Sequence, residues 1–444
     1  MLPWVWDAFV RESVVLHLAT LQADHPMNML PSEPIWVRSW AGARDAFRSR
    51  ELRQGLYDEA GTLMQGVIVN LHGDEHRARR RLENRLFRRD TFRWYETDVI
   101  PAVVHEISAP ALAAGSGDLL PMARRTMMKL ACVIAGLDVR DEDFDDMFAL
   151  MHRLARASTA IHATGDRALL TADGLAALTE VDQRFIQPSL ARRVMLLRES
   201  SEVNELPRDV LTTLLRNQDA LDLPPDVAVR EVAYFPWVGS HSTSNAFVHA
   251  MHHLFSWFDA HPDDRSRVLA DPLLLQSFVH ESLRLHPASP ETHRVAEADV
   301  EIAGVVAGRG RRVIIDMEAV NRDESVWGSD ADAFRPSRAL PPDASPWGMT
   351  FGHGMHACLG MELAGGVAPD GDIPAADHLL GAITTMAHHL LAAGARPDPD
   401  RPCRLDTTTT RVVYATYPVT FRSDEAIPVV AETHTAFAAQ PPSA

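Results

Sequence analysis

Helical periodicity runs from about residue 40 to about residue 290. A chain patterned in this way over more than half its length folds as a mainly α protein. The longest run is residues 226–258, where Val232, Phe235, Phe247, Met251, Leu254 and Phe258 recur on one side. Pro236 and Gly239 sit in its middle, where a missing backbone donor predicts a kink. A second helix is expected from Asp271 and Pro272, a cap residue followed by proline at the first helical position, to near Pro287. Residues 295–315 change to short β-like runs punctuated by glycine, and a Pro- and Asp-rich loop follows over 321–349. An amphipathic helix is expected over roughly 375–393, and two β-like runs near 412–414 and 419–421. The expected class is therefore mainly α with small β-sheets (α+β). One domain covers 1–422, and 423–444 reads as a loosely ordered tail.

Composition narrows the functional classes. The 444 residues carry a formal net charge of −17, which disfavours a general nucleic-acid binder. Three cysteines, Cys132, Cys358 and Cys403, do not make a disulfide framework and suit a reducing, cytoplasmic setting. The first 22 residues are apolar but broken by Asp7, Arg11, Glu12 and His17. They are too polar to span a bilayer and lack the basic start of a signal peptide, so an amphipathic first helix and no membrane association are expected. A zinc hydrolase finds no support: His280-Glu281 begins an H-E-x-x-H pattern, but Arg284 stands where its second histidine belongs. His249 and His253 lie four apart on a helix, and no third ligand at a usual spacing accompanies them.

The most informative segment is Phe351-Gly352-His353-Gly354-Met355-His356-Ala357-Cys358-Leu359-Gly360. A buried structural cysteine is the common fate of a lone thiol, but it does not demand this glycine spacing. The segment resembles the haem-binding loop of the cytochrome P450 superfamily, F-x-x-G-x-H-x-C-x-G. In such a loop glycines permit positive φ angles and close approach of backbone to porphyrin. Backbone N–H groups aimed at the sulfur tune its donation to iron. The resemblance implies a soluble bacterial-type fold, a triangular prism with a long central helix over haem b (iron protoporphyrin IX). It makes Cys358 the metal ligand and Phe351, Gly352, Gly360 and His356 cofactor-binding residues.

Further motifs fall in the right order, and the resemblance extends from about residue 34 to 421. Glu281 and Arg284 match the family's E-x-x-R helix, with Arg338 completing an ion network. Arg294, His76 and Arg80 align with residues assigned to the haem propionates. Eight arginines lie between Arg77 and Arg93, explained by the propionates, a solvated helix face and an acidic electron-transfer partner. In the central helix the family carries A/G-G-x-D/E-T, whose acid and alcohol relay protons for oxygen activation. Here the run is Val238-Gly239-Ser240-His241-Ser242-Thr243, so His241 replaces the acid and Ser242 the threonine. One reading is a modified but working monooxygenase, with Gly239, His241, Ser242 and Thr243 as the distal catalytic set. A second is a non-monooxygenase haem-thiolate enzyme needing no external electrons: nitrene or other group transfer, rearrangement, dehydration or peroxide use. A third makes His241 a sixth iron ligand.

After Cys358 the family continues into a helix, whereas residues 365–374 here are rich in glycine and proline. That insertion lies where ferredoxin usually docks and puts ordinary docking of ferredoxin and ferredoxin reductase in doubt. By the resemblance, the substrate pocket is walled by Ile68, Phe235, Val238, Gly239, Ser242, Ala288 and Thr292, a mainly apolar set suited to a small organic molecule. His162, Glu291 and His293 are candidate polar anchors. The expected function is oxidative tailoring of such a molecule in secondary-metabolite biosynthesis. A non-catalytic haem sensor would instead have a blocked pocket and no turnover.

Overall fold

A computed structural model describes residues 33–199, 206–369 and 378–422. The expected first helix, the tail 423–444 and residues 370–374 of the 365–374 insertion lie outside the described residues. Among the described residues the architecture is mostly helical with four small sheets. Its axis is the helix Pro225–Ala260, 36 residues long, which at 1.5 Å per residue spans about 54 Å. The helical run continues through Pro236 and Gly239. Proline forfeits one N–H, and packing along both faces holds the rest. The helix Leu119–Ala135 lies against it most extensively, with Pro272–Leu285 and Ala382–Ala392 behind. Its interior-facing side chains, Val232, Phe247, Met251 and Leu254 among them, are buried in one large apolar core.

The second helix runs Pro272–Leu285, and Asp271 caps it by accepting from the Leu273 and Leu274 N–H groups, as its sequence signature predicts. The largest sheet orders its strands Ile35–Val37, Arg312–Asp316, Glu291–Ala296 and Leu52–Gln54. The first pair is parallel and the others antiparallel. This sheet has its own smaller core around Val37, Phe47, Val313 and Ile315. A three-stranded sheet joins Ser116–Asp118, Pro418–Phe421 and Ala395–Pro397. Arg404–Leu405 pairs with Tyr414–Thr416, so a hairpin closes near the C-terminus. The late helix spans Ala382–Ala392, starting after the expected residue 375. Gly381 has φ +84° and a Cβ on it would collide with the Gly366 backbone. That close approach fixes an extended entry which a helix cannot occupy. Among the described residues no helix is long and apolar enough to cross a membrane.

Candidate active site

The loop around Cys358 is built by short-range backbone bonds. Gly352 N–H donates to the Met349 carbonyl at 2.8 Å, Ala357 N–H to Gly354 at 3.2 Å, and Cys358 N–H to Phe351 at 2.9 Å. Gly354 has φ +70°, and a Cβ there would run into the Phe47 carbonyl oxygen, so glycine is required. Cys358 is exposed and forms part of the wall of a large cavity. Desolvation by the protein around it pushes its thiol pKa up, while the Gly360 N–H and the Arg80 guanidinium pull the other way by favouring thiolate.

The cavity holds about 320 Å³ and has Cys358 in one wall and the central helix in another. Ile68, Phe235, Val238, Ala288 and Thr292, the pocket residues expected from the sequence, all line it. So do Gly239, Ser242 and Thr243, as well as His76, Arg80, Arg294, His356, Phe351, Gly352 and Gly360. The apolar wall also contains residues without a distinguishing sequence signal, such as Phe87, Met127, Leu130 and Tyr57. Each looks like an ordinary core residue until the chain is folded.

One side of the cavity is cationic. Arg294 donates to Gln54 Oε1 at 2.8 Å, Thr292 Oγ1 at 3.1 Å and the His293 carbonyl at 3.0 Å. Arg80 donates to the Ala357 carbonyl at 2.5 Å and to Asn84 Oδ1 at 3.0 Å. Among the described residues neither guanidinium meets a carboxylate. The His76 and His356 rings lie 4.2 Å apart, and among the described residues His76 Nδ1 and His356 Nε2 are buried without hydrogen-bond partners. Burial takes the Arg294 pKa down to about 10. Burial, then neighbouring charge, takes His76 down to about 4 and His356 to about 2. Buried cations and orphaned imidazole nitrogens together call for an anionic ligand. A haem, with its two carboxylates and a metal for the sulfur, fits this donor set.

The distal helix departs from an acid–alcohol pair in geometry as well as in sequence. Ser242 donates its hydroxyl proton to the Val238 carbonyl at 2.7 Å. His241 Nδ1 lies 3.1 Å from the Trp237 carbonyl, which can only accept, so the proton is assigned to Nδ1. Its Nε2 is buried and has no partner. His241 is absent from the large cavity's wall and lines an adjoining one with His152, Arg124 and Arg411. Burial, then Arg124 and His152, holds its pKa down to about 3, leaving a neutral ring.

The E-x-x-R helix is tied to the later loop. Arg284 is 0% exposed. It donates to both Glu281 oxygens at 2.8 Å and to the Asn321 and Ala331 carbonyls. Arg338 meets Glu281 at 3.2 Å and also Asp330. Asn321 in turn accepts from Met349 N–H, two residues before the cysteine loop. Of the other candidate anchors, His293 pairs with Glu291 at 3.0 Å. His162 is buried and unpartnered at Nε2, outside the walls of both cavities. Sequence reasoning did not reach the buried Arg79–Glu231 pair at 2.9 Å, which has the 0%-exposed Glu83 nearby. Only folding brings residues 79 and 231 together.

A long helix over an apolar cavity, with one cysteine and a set of donors facing it, is a setting that a haem-thiolate group would fit. The family model "Cytochrome P450" matches residues 260–365, the stretch holding Glu281, Arg284, Arg294 and Cys358. The vitamin D(3) 25-hydroxylase of Pseudonocardia autotrophica is 27% identical over 365 residues, 78% of this chain and 81% of that protein. The biotin biosynthesis cytochrome P450 of Bacillus subtilis is 30% identical over 157 residues. That match covers 35% of this chain and 37% of the relative, little more than a third of its length. The crystal structure of CalO2 superposes with a TM-score of 0.69 at 22% identity, over 94% of this chain and 96% of that one. By this family match and these relatives the chain is similar to the cytochrome P450 superfamily, a family of haem-thiolate oxidoreductases.

Proposed function

We propose that the protein is a haem-thiolate enzyme holding haem b through Cys358 and performing oxidative tailoring of a small organic molecule in secondary-metabolite biosynthesis, in the cytoplasm. The observation that carries this is the Cys358 sulfur opening onto an apolar cavity whose rim presents Arg80, Arg294, His76 and His356 without counter-charges. When bound, the haem supplies oxidising power drawn from dioxygen or peroxide. The protein's part is to hold and shape. The arginines and histidines bind the propionates, and the Gly360 N–H together with Arg80 favours the thiolate. Phe235, Val238 and Ala288 exclude water and seat the substrate. The open Gly239 position, where a Cβ would approach nothing nearer than Ala131 at 3.7 Å, leaves space against the helix. Ser242 and Thr243 are the hydroxyls on the distal wall. Electrons come from a ferredoxin and its reductase.

The non-monooxygenase alternative keeps one specific support. His241, standing where the acid belongs, is neutral and lines the adjoining cavity rather than the large one, so no acidic proton donor accompanies Ser242. The deciding test is the carbon-monoxide difference spectrum, reduced by dithionite or by a surrogate ferredoxin with its reductase. The red-shifted thiolate band is expected with both reductants in the native protein and absent from Cys358→Ala. A band with dithionite alone moves the assignment to chemistry fed by substrate or peroxide, and no band from the native protein sinks the thiolate reading.

A further inference from the structure

Beside the main cavity lies a second one of about 160 Å³, and the two share Leu56, Tyr57, Val238, Ser242, Ala288 and Ser289 in their walls. The second cavity differs in chemistry. Arg124, Arg156 and Arg411 face it with one carboxylate, Asp406. Asp406 is engaged locally, accepting from Thr408 N–H at 2.8 Å and Thr408 Oγ1 at 2.7 Å. Among the described residues neither Arg124 nor Arg411 forms an ion pair, and the Nε of each is buried without a hydrogen-bond partner. Both side chains are half-buried and line this cavity, and that burial lowers the pKa of both guanidiniums. A half-buried charge without a partner is unfavourable, and a carboxylate seated between the two arginines would supply the missing counter-charge.

Arg411 is also held in position. Its hairpin is closed by the Asp406 N–H donating to the Val413 carbonyl at 2.9 Å. Thr410 N–H donates to His162 at 2.8 Å and Thr164 N–H to Thr408 at 3.0 Å. The Val412 carbonyl accepts from His249 Nε2 at 2.8 Å. A side chain carried on a backbone fixed by so many bonds starts from a defined point, so less freedom is lost when its guanidinium binds. Arg411 does not line the main cavity, where Arg80 and Arg294 face the haem site, so the propionates already have their own cationic partners.

We propose that this second cavity seats a carboxylate of the substrate: Arg411, assisted by Arg124, holds the acid group, and the rest of the molecule passes Ser242 into the main cavity beside Cys358. The planar guanidinium fork matches a carboxylate bidentately. This inference rests on the haem-thiolate reading for the meaning of the main cavity, and it narrows the substrate class to small organic acids.

The test uses the full-length, haem-loaded protein. Benzoate, 4-phenylbutanoate and decanoate, each beside its methyl ester, are titrated by calorimetry while the haem Soret band is followed. At least one acid is expected to bind about tenfold more tightly than its ester, a typical gain for a charge-assisted pair. Arg411→Gln is expected to remove that preference while leaving ester affinity within about twofold, with Arg411→Lys retaining part and Arg124→Gln showing a smaller loss. Equal affinity for every acid and its ester, or acid affinity indifferent to both arginines, would overturn the proposal. Should Arg411→Gln fail to fold, Arg411→Lys and Arg124→Gln still decide. The carbon-monoxide band is read on the same samples. Its absence overturns the haem-thiolate reading alone, because calorimetry still reports whether the acid is held.

Discussion

Ser242 gives its only proton to the Val238 carbonyl and so turns lone pairs toward the cavity. In that rotamer it accepts from a water or substrate hydroxyl, and it can pass a proton on only after leaving the helix carbonyl. Thr243 shares the cavity wall. Ser242→Ala is therefore expected to lower reductant-driven turnover by about a hundredfold, the usual scale for one positioned proton-transfer group, while peroxide-driven turnover falls far less. The ratio of the two rates measures it, and an unchanged ratio would move the relay to Thr243. The neighbour, His241, shows what a motif comparison can hide. Successive residues on a helix point about 100° apart, so the turn that faces Ser242 to the main cavity carries His241 onto the next one. Its neutral ring follows from burial beside Arg124 and His152, neither of which is near it in sequence.

At the level of elements, the helix Pro272–Leu285 acts as a clamp between the Pro- and Asp-rich loop and the cysteine loop. Arg284 holds the Asn321 and Ala331 carbonyls, the Asn321 side chain holds Met349 N–H, and Thr350 Oγ1 donates to the Leu283 carbonyl at 2.6 Å. Removing Glu281's charge strands a fully buried guanidinium. Glu281→Gln is expected to cost about 3–5 kcal/mol, the range for breaking a buried ion pair from one side, read from urea unfolding with haem content measured in parallel. A loss under about 1 kcal/mol would mean that the carbonyls alone suffice for Arg284. The spacing of Glu281 and Arg284 made this pair legible, since residues three apart share a face. The late helix was less legible. Its apolar pattern extends back to Leu379 and Leu380, but those two lie outside the helix, with Leu380 N–H and Gly381 N–H donating to Glu96 and Gln276 gripping the Leu379 and Leu380 carbonyls. Periodicity cannot register a partner almost 300 residues away.

Across the whole molecule, a set of buried imidazoles ties stability to pH. Burial takes His162 to about 3 and His249 and His280 to about 4, against about 6.5 in an unfolded chain. The unfolded state therefore binds more protons at acid pH. The contribution of each ring is complete above about pH 6.5 and is lost progressively as pH falls toward the folded value. One unit below 6.5, each costs about 1.4 kcal/mol, so calorimetry should show Tm dropping steeply between about pH 7 and pH 5.5. A flat Tm across that window would contradict neutral, buried histidines. The sequence by itself determined the helical class, the cap at Asp271, the glycine-bound cysteine loop and the Glu281–Arg284 pair. All of these rest on neighbours within a few residues, where backbone geometry alone dictates contact. Only the tertiary structure decided which cavity His241 faces and that Arg79 meets Glu231. It also decided that Arg124 and Arg411, 287 positions apart in the chain, line one pocket with no ion pair among the described residues. Those outcomes depend on how distant surfaces pack and which charges lose their water, and no local pattern encodes either.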